Sequence, residues 1–257
     1  MAAKLYKYRS LRTAADLKRA REIIARSQVY FPAPSSFNDP FDCRPSYQLN
    51  ISDEKLREHQ HRIGRKFHPH WTDEQVNTWA DNPYRDMRDP AFLGFMQDMS
   101  ERQLTNGLGV LSVSALNNEI LMWAHYSDCH TGICFEFDTA FEPFGSTRKV
   151  RYEIERIPVH LMEDDEATQA EKSVFLKANG WKYEDEWRKV RYEGPGAVHF
   201  DPRALTGIIL GAKITHQNAR RVIRWARRAP HAVLYEAIPH REKFEMRIVP
   251  IEREFLD

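Results

Sequence analysis

Apolar residues recur along the chain with two periods, and the switches between them outline the elements. Residues 5–9 alternate as a strand does, residues 14–27 place Ala15, Leu17, Ala20, Ile23 and Ile24 at helical spacing, and Val29–Phe31 return to an extended pattern. The next stretch, 32–42, is dense in Pro, Asn, Asp and Ser, which set turns through a fixed φ or through side-chain bonds to their own backbone, so an ordered loop is predicted. From 52 to 102 the composition becomes polar and helix-favouring, with caps expected at Ser52 and Thr72 and breaks at Pro69, Pro83 and Pro90. Strands are predicted at 109–114 and 132–138 around a helical turn at 119–126, with another strand at 149–152. A helix at 166–178, strands at 184–192 and 205–210, a basic helix at 217–228 and closing strands at 233–237 and 246–251 complete the pattern. Several strands follow one another without an intervening helix. This order favours an α+β fold with a mixed, mostly antiparallel sheet and flanking helices over a doubly wound parallel sheet. The chain reads as a single domain, 1–257, carrying a helical insertion at about 52–102.

Composition adds bounds. At 257 residues the chain is near the upper size at which one core serves a whole domain. Hydrophobic residues at 42% and aromatics at 12% predict a folded globule, and 29% charged residues predict an ionic surface. A formal net charge of +1 from 38 basic and 37 acidic residues leaves nucleic-acid binding to the distribution of charge. The first ten residues carry charges where an export signal needs an apolar run, and no run approaches membrane-spanning length, so a cytoplasmic location without membrane association is expected. The three cysteines, Cys43, Cys129 and Cys134, are too few and too irregularly spaced for a disulfide framework.

The common nucleotide-binding and hydrolase signatures are missing: there is no G-x-G-x-x-G, no Walker A motif, no G-x-S-x-G elbow and no H-E-x-x-H. Two other stretches are dense in chemistry. In 118–137, a short helix over 119–126 would bury Met122 and Trp123 and present His125 or Tyr126; a core helix with one hydrogen-bonded histidine accounts for the stretch equally well. His125, Cys129, His130 and Cys134 match no zinc-ligand spacing, so no metal is assigned. In Trp181-Lys-Tyr-Glu-Asp-Glu-Trp-Arg188, an extended chain would set Glu184, Glu186 and Arg188 on one face. Two carboxylates side by side suit acid–base or charge-stabilising work, and a Glu186–Arg188 ion pair is the alternative. Arg220, Arg224 and Arg228 recur at i+4 spacing and match a nucleic-acid backbone contact, or else an ordinary solvated helix face. The acidic run 163–166 reads as a solvated helix start.

Leu5-Tyr-Lys-Tyr8, Phe37-Asn-Asp-Pro-Phe-Asp42, Ser112-Val-Ser114, Met122-Trp-Ala-His-Tyr126, Gly132-Ile-Cys-Phe-Glu-Phe137 and Trp181-x-Tyr-Glu-x-Glu-x-Arg188 together resemble the bacterial domain-of-unknown-function family 2971. That resemblance assigns no activity. The order of Tyr6-Lys7-Tyr8, then Ser112-Val-Ser114 with Trp123 to Tyr126, then Glu184-Asp-Glu186 also resembles the ADP-ribosyltransferase superfamily, whose split mixed sheet carries a polar residue on its first strand, a Ser or Tyr on a middle strand leading into a helix, and a glutamate on a later strand. The likeness implies an enzyme that uses NAD as substrate, with toxins and phage-defence effectors acting on nucleic acid or another macromolecule as the implied roles and an antitoxin or immunity protein as the kind of partner. It implies Glu186 as the carboxylate that stabilises an oxocarbenium-like ribose, and Glu184 as base or acceptor-orienting group. His125 would lie against ribose or diphosphate, and Tyr126 or Trp123 would stack on nicotinamide. Tyr6 and Ser114 would bond ribose or amide beside Tyr8, and Lys7 or Arg9 would replace the usual first-strand cation, which this chain lacks. A ligand-sensing module without turnover and a nucleic-acid-processing enzyme using His125 with the acidic pair are the alternatives.

Overall fold

The computed structural model describes residues 3–48, 52–81 and 90–251. In chain order its elements are β1 (Lys4–Arg9), α1 (Ala14–Arg26), β2 (Gln28–Phe31), β3 (Tyr47–Gln48), α2 (Asp53–Phe67), α3 (Asp73–Asp81), α4 (Pro90–Asn106), β4 (Gly109–Ser114), α5 (Ile120–Tyr126), β5 (Ile133–Asp138), β6 (Arg148–Lys149), β7 (Arg151–Glu153), β8 (Val159–His160), α6 (Glu166–Val174), β9 (Leu176–Ala178), β10 (Glu186–Arg191), β11 (Gly196–His199), β12 (Leu205–Leu210), α7 (His216–Ala226), β13 (Val233–Pro239) and β14 (Met246–Pro250). Two compact units result: Met1–Ala33 with Leu108–Tyr152 and Asn179–Asp257, and Pro34–Gly107 with Glu153–Ala178. The stretch expected as an insertion, 52–102, falls inside the second unit, which reaches beyond it on both sides.

The first unit is built on an eight-stranded sheet of order β14-β13-β12-β5-β1-β4-β10-β6, antiparallel except where β12 runs parallel to β13. This is the mixed, mostly antiparallel α+β arrangement. Local chemistry starts and stops the elements. Thr13 and Asp16 form a reciprocal capping box on α1, and Ser27 closes that helix in the left-handed region, which turns the chain into β2. Thr215 caps α7 through the Asn218 N–H. Gly132, just before β5, allows the chain to pass against the Arg9 and Ser127 carbonyls, where any side chain would collide.

Strand alternation gives the sheet two unlike faces. Register places Leu5 opposite Phe137, Arg9 opposite Ile133, and Ile208 opposite Phe135. On this face Leu5, Leu111, Val113, Ile133, Phe135, Phe137 and Ile208 are all buried beneath α1 and α7, which contribute Ala20, Ile23, Ile24, Val222 and Ala226. The opposite face carries Tyr6, Tyr8, Cys134 and Ile209 and is covered by Met122 and Trp123 of α5.

In the second unit, Ser52 caps α2 through the Lys55 N–H, and Thr72 accepts from the Gln75 N–H at the head of α3. Gly64 lies 3.3 Å, by the position its missing Cβ would take, from the Trp79 ring, so α2 and α3 approach closely there. Pro90 is the first residue of α4, as its missing N–H permits at a first helical position. The break expected at Pro83 lies outside the described residues. The Phe37–Asp42 motif belongs to this unit. Its Asp42 is buried against Lys177 at 3.4 Å, while Phe41 is turned outward on a cavity of about 290 Å³ with Arg44, Ile154, Arg156 and Leu176.

Three expected elements differ. The helix expected over 166–178 stops at Val174, and residues 176–178 are extended; Val174 and Phe175 are buried, so packing outweighs helical continuation. The strand expected at 149–152 is two short strands, β6 and β7. Residues 179–184 form a 3₁₀ turn, and β10 begins only at Glu186.

Candidate functional site

Register builds the site before any side chain is considered. Tyr6 pairs with Ser114 and Ser114 with Glu186, so residues from β1, β4 and β10 stand in one row on the α5 face of the sheet. Arg188, opposite Ser112, stands in the next row. Arg188 is fully buried, and its Nε and Nη2 each donate to one Glu186 carboxylate oxygen at 2.8 Å. This bidentate pair holds the carboxylate in one orientation. The Glu186 backbone N–H donates to the Tyr152 hydroxyl at 2.8 Å, which anchors the strand at the same point.

Glu184 reaches this site by another route. It lies in the 3₁₀ turn, and Asp185, with φ of 38°, swings the chain between the two glutamates. Asp is one of the few side chains that tolerates this left-handed region. The expectation that Glu184 and Glu186 share a strand face is therefore corrected: Glu184 ends a 3₁₀ turn and only Glu186 is on the strand. Ser114 Oγ donates to the Glu184 carbonyl at 2.6 Å and accepts from the Leu116 N–H, so its hydrogen bonding serves to tie the turn to β4. The Tyr126 hydroxyl donates to Glu184 Oε1 at 2.5 Å. Glu184 and Glu186 are both buried, at 3% and 4% exposure.

An aromatic cluster flanks these carboxylates. The exposed His125 ring lies edge-on to Tyr126, Trp181 and Tyr183, and its Nδ1 is 2.9 Å from the Tyr183 hydroxyl. Trp123, expected to face a ligand, is packed on every side: it has no exposed surface, meets Tyr8 edge-on and donates its Nε1–H to the Asn117 carbonyl. It belongs to the core. Tyr8 is likewise buried, with its hydroxyl donating to the Leu116 carbonyl, and burial raises its pKa.

Lys7 and Arg9 are not brought to this site. Strand alternation turns both to the opposite, α1 side of the sheet, because they alternate with Tyr6 and Tyr8. Lys7 Nζ donates to the Ser112 carbonyl at 2.7 Å, and burial, followed by the Arg9 charge, drives its pKa well below the usual lysine value. Arg220, Arg224 and Arg228 are exposed on or just beyond α7, also on that side of the sheet.

The structure adds residues that sequence reading did not single out. Glu136, opposite Tyr6, accepts from the Tyr6 hydroxyl at 3.4 Å and from Thr206 Oγ1 at 2.7 Å, and Lys4 lies 3.7 Å away. Burial, with the Glu136 charge second, raises the Tyr6 pKa; Tyr235 is raised for the same two reasons. Gly207, opposite Glu136, leaves the room in which the Tyr235 ring and Glu136 approach each other. The signal for Glu136 was an acid flanked by two phenylalanines in the strand Ile133–Asp138; for Tyr152 and Tyr235 no local signal exists. Cys134 is fully buried on this face, while Cys129 is exposed. No group of three His, Cys, Asp or Glu side chains with metal-binding geometry occurs among the described residues.

The fold and site define an α+β protein with two buried glutamates, Glu186 on a sheet strand and Glu184 in the turn before it, beside half-buried aromatic rings and the exposed His125. Residues 122–189, which span α5 to β10 and so contain His125, Tyr126, both glutamates and Arg188, match the model of a family described as a protein of unknown function, DUF2971. No curated protein and no solved structure matches the chain. No helix among the described residues is long and apolar enough to cross a membrane.

Proposed function

We propose that the first unit is an ADP-ribosyltransferase-like enzyme that takes NAD as substrate and passes ADP-ribose to a macromolecule, as a toxin or phage-defence effector would. The observation that carries this reading is the row Tyr6–Ser114–Glu186 on three adjacent strands, with α5 following Ser114 directly. In the reaction, the ribose–nicotinamide bond breaks with its electron pair leaving on nicotinamide, and the ribose carbon becomes oxocarbenium-like. A fixed carboxylate stabilises that charge, which is the role of Glu186. The acceptor's nucleophile then bonds to the ribose carbon and gives up its proton to a base, the role of Glu184. Tyr126, Trp181 and Tyr183 offer planar surfaces for a ring to stack on, and His125 offers a polar contact. Ser114 positions Glu184 rather than touching substrate.

The experiment is nicotinamide release from NAD by wild type, Glu186→Gln and Glu184→Gln, with and without DNA, RNA or cell lysate, on variants shown by circular dichroism to be folded. Release by wild type that disappears in folded Glu186→Gln supports the assignment; a folded wild type that releases nothing with any acceptor overturns it. A second reading, a ligand-sensing module without turnover, is favoured by the burial of both glutamates and by their bonds to Tyr126 and Arg188. Stabilisation of the fold by NAD without any product supports that second reading.

A further inference from the structure

The side of the first unit opposite the carboxylates has its own chemistry. Helices α1 and α7 pack against each other over the apolar face of the sheet. Their outer surfaces are strongly cationic: Lys18, Arg21 and Arg26 on α1, and Arg220, Arg224 and Arg228 on or just after α7, are all exposed. Counter-charge is scarce. Helix α7 contains no acidic residue, and α1 contains two, of which Asp16 is engaged in the Thr13 capping box and Glu22 lies 4.0 Å from Lys18. Beneath α1, the sheet adds Lys7 and Arg9 on the same side. Both lie beneath the helix rather than on its outer surface, and burial lowers the pKa of each, so the exposed charge is that of the helices.

The net charge of the whole chain is only +1, so this concentration is a matter of placement. Arg220 and Arg224, at i and i+4 on α7, are spaced by roughly 6 Å along its axis, a step comparable to that between successive phosphates of a nucleic-acid strand, and Arg228 follows in the turn after the helix. The surface offers charges and no stacking platform: Trp225 packs into the core, and the Tyr30 ring beside α1 is covered by the Arg19 guanidinium at 5.1 Å. Single strands are held by aromatic stacking as well as charge, whereas a duplex presents its phosphates outward and needs charge alone.

We infer that the α1–α7 face is a docking surface for duplex nucleic acid, gripping the phosphate backbone without reading bases. This inference does not depend on NAD chemistry, and its test contains no NAD. Binding of a labelled short DNA duplex of mixed sequence is followed by fluorescence anisotropy across a salt series, for wild type and for Arg220→Ala/Arg224→Ala/Arg228→Ala. The comparison variant is Arg241→Ala/Lys243→Ala/Arg247→Ala, which removes the same charge from other exposed positions of the same unit. Wild type should bind at low salt, and the first triple variant should flatten the slope of log affinity against log salt by about one per arginine removed. The second triple variant should retain the wild-type slope. Absence of binding at low salt, equal loss in both variants, or tighter binding of wild type to phosphatidylserine vesicles than to the duplex would each overturn the inference.

Discussion

The two faces of the eight-stranded sheet share the same strands and differ in almost everything else. On the α1–α7 side, the residues that β1, β4, β5 and β12 point inward are mostly aliphatic or aromatic and close into one core. On the α5 side β1, β4 and β5 contribute Tyr6, Tyr8, Ser112, Ser114 and Glu136, and β10 adds Glu186 and Arg188. The difference teaches where polarity is tolerated. A buried charge persists only with a partner, and here Glu186 has Arg188, Glu184 has Tyr126 and Glu136 has Thr206 with Lys4 nearby. Each face has its exception. Lys7 and Arg9 lie on the apolar side, and Trp123 makes a small apolar core on the polar side.

Substitutions sharpen this comparison, beginning with the largest effect. Phe137→Ala removes a ring that has no exposed surface and stacks on Phe144 with centroids 4.0 Å apart, and should cost about 3–5 kcal/mol in urea unfolding. Trp123→Ala should cost about as much; a loss as small as that of a surface substitution would show that the α5 side is loosely packed and that Trp123 is not core. Removing one member of the buried pair comes next. Arg188→Met strands the Glu186 carboxylate and should cost about 3 kcal/mol, whereas Arg188→Met with Glu186→Leu should recover much of that loss. Additive effects in that double-mutant cycle would contradict a coupled pair.

Tyr126→Phe removes one donor from Glu184 and should cost about 1–3 kcal/mol while leaving the apolar core intact. The smallest effect concerns Lys7. Its folded pKa lies well below the ordinary value of 10.5, so between the two values the unfolded chain holds a proton that the folded chain lacks. Stability therefore rises with pH through that window, and in Lys7→Met this rise should flatten. Unfolding midpoints measured from neutral pH into the lysine range decide it; an unchanged rise would place the titrating group elsewhere.

Much of the apolar face was readable beforehand. Alternation in β1 and the 3.6-residue spacing of Ala20, Ile23 and Ile24 place residues on faces without any tertiary knowledge, because periodicity is a local property. The capping role of Ser52 and the burial of Met122 and Trp123 followed from the same kind of reasoning. The polar side was less legible. Glu184, Glu186 and Arg188 stood out as a dense charged run, yet the 3₁₀ turn and the left-handed Asp185 that separate the glutamates depend on ties to β4 through Ser114 and Ala115.

By itself the sequence determined most of the central strands and the helices α1, α5 and α7, the apolar positions that recur on them, and that Glu186 is followed two residues later by an arginine able to pair with it. Only tertiary structure decided that Tyr6, Ser114 and Glu186 stand in one row, since strand order and register join residues far apart in the sequence. It also turned Lys7 and Arg9 away from that row and joined Glu136 to Tyr6 and Thr206. The physical reason is that a side chain's direction is fixed by its own backbone, whereas its partner is fixed by whichever distant strand completes the backbone hydrogen bonds beside it.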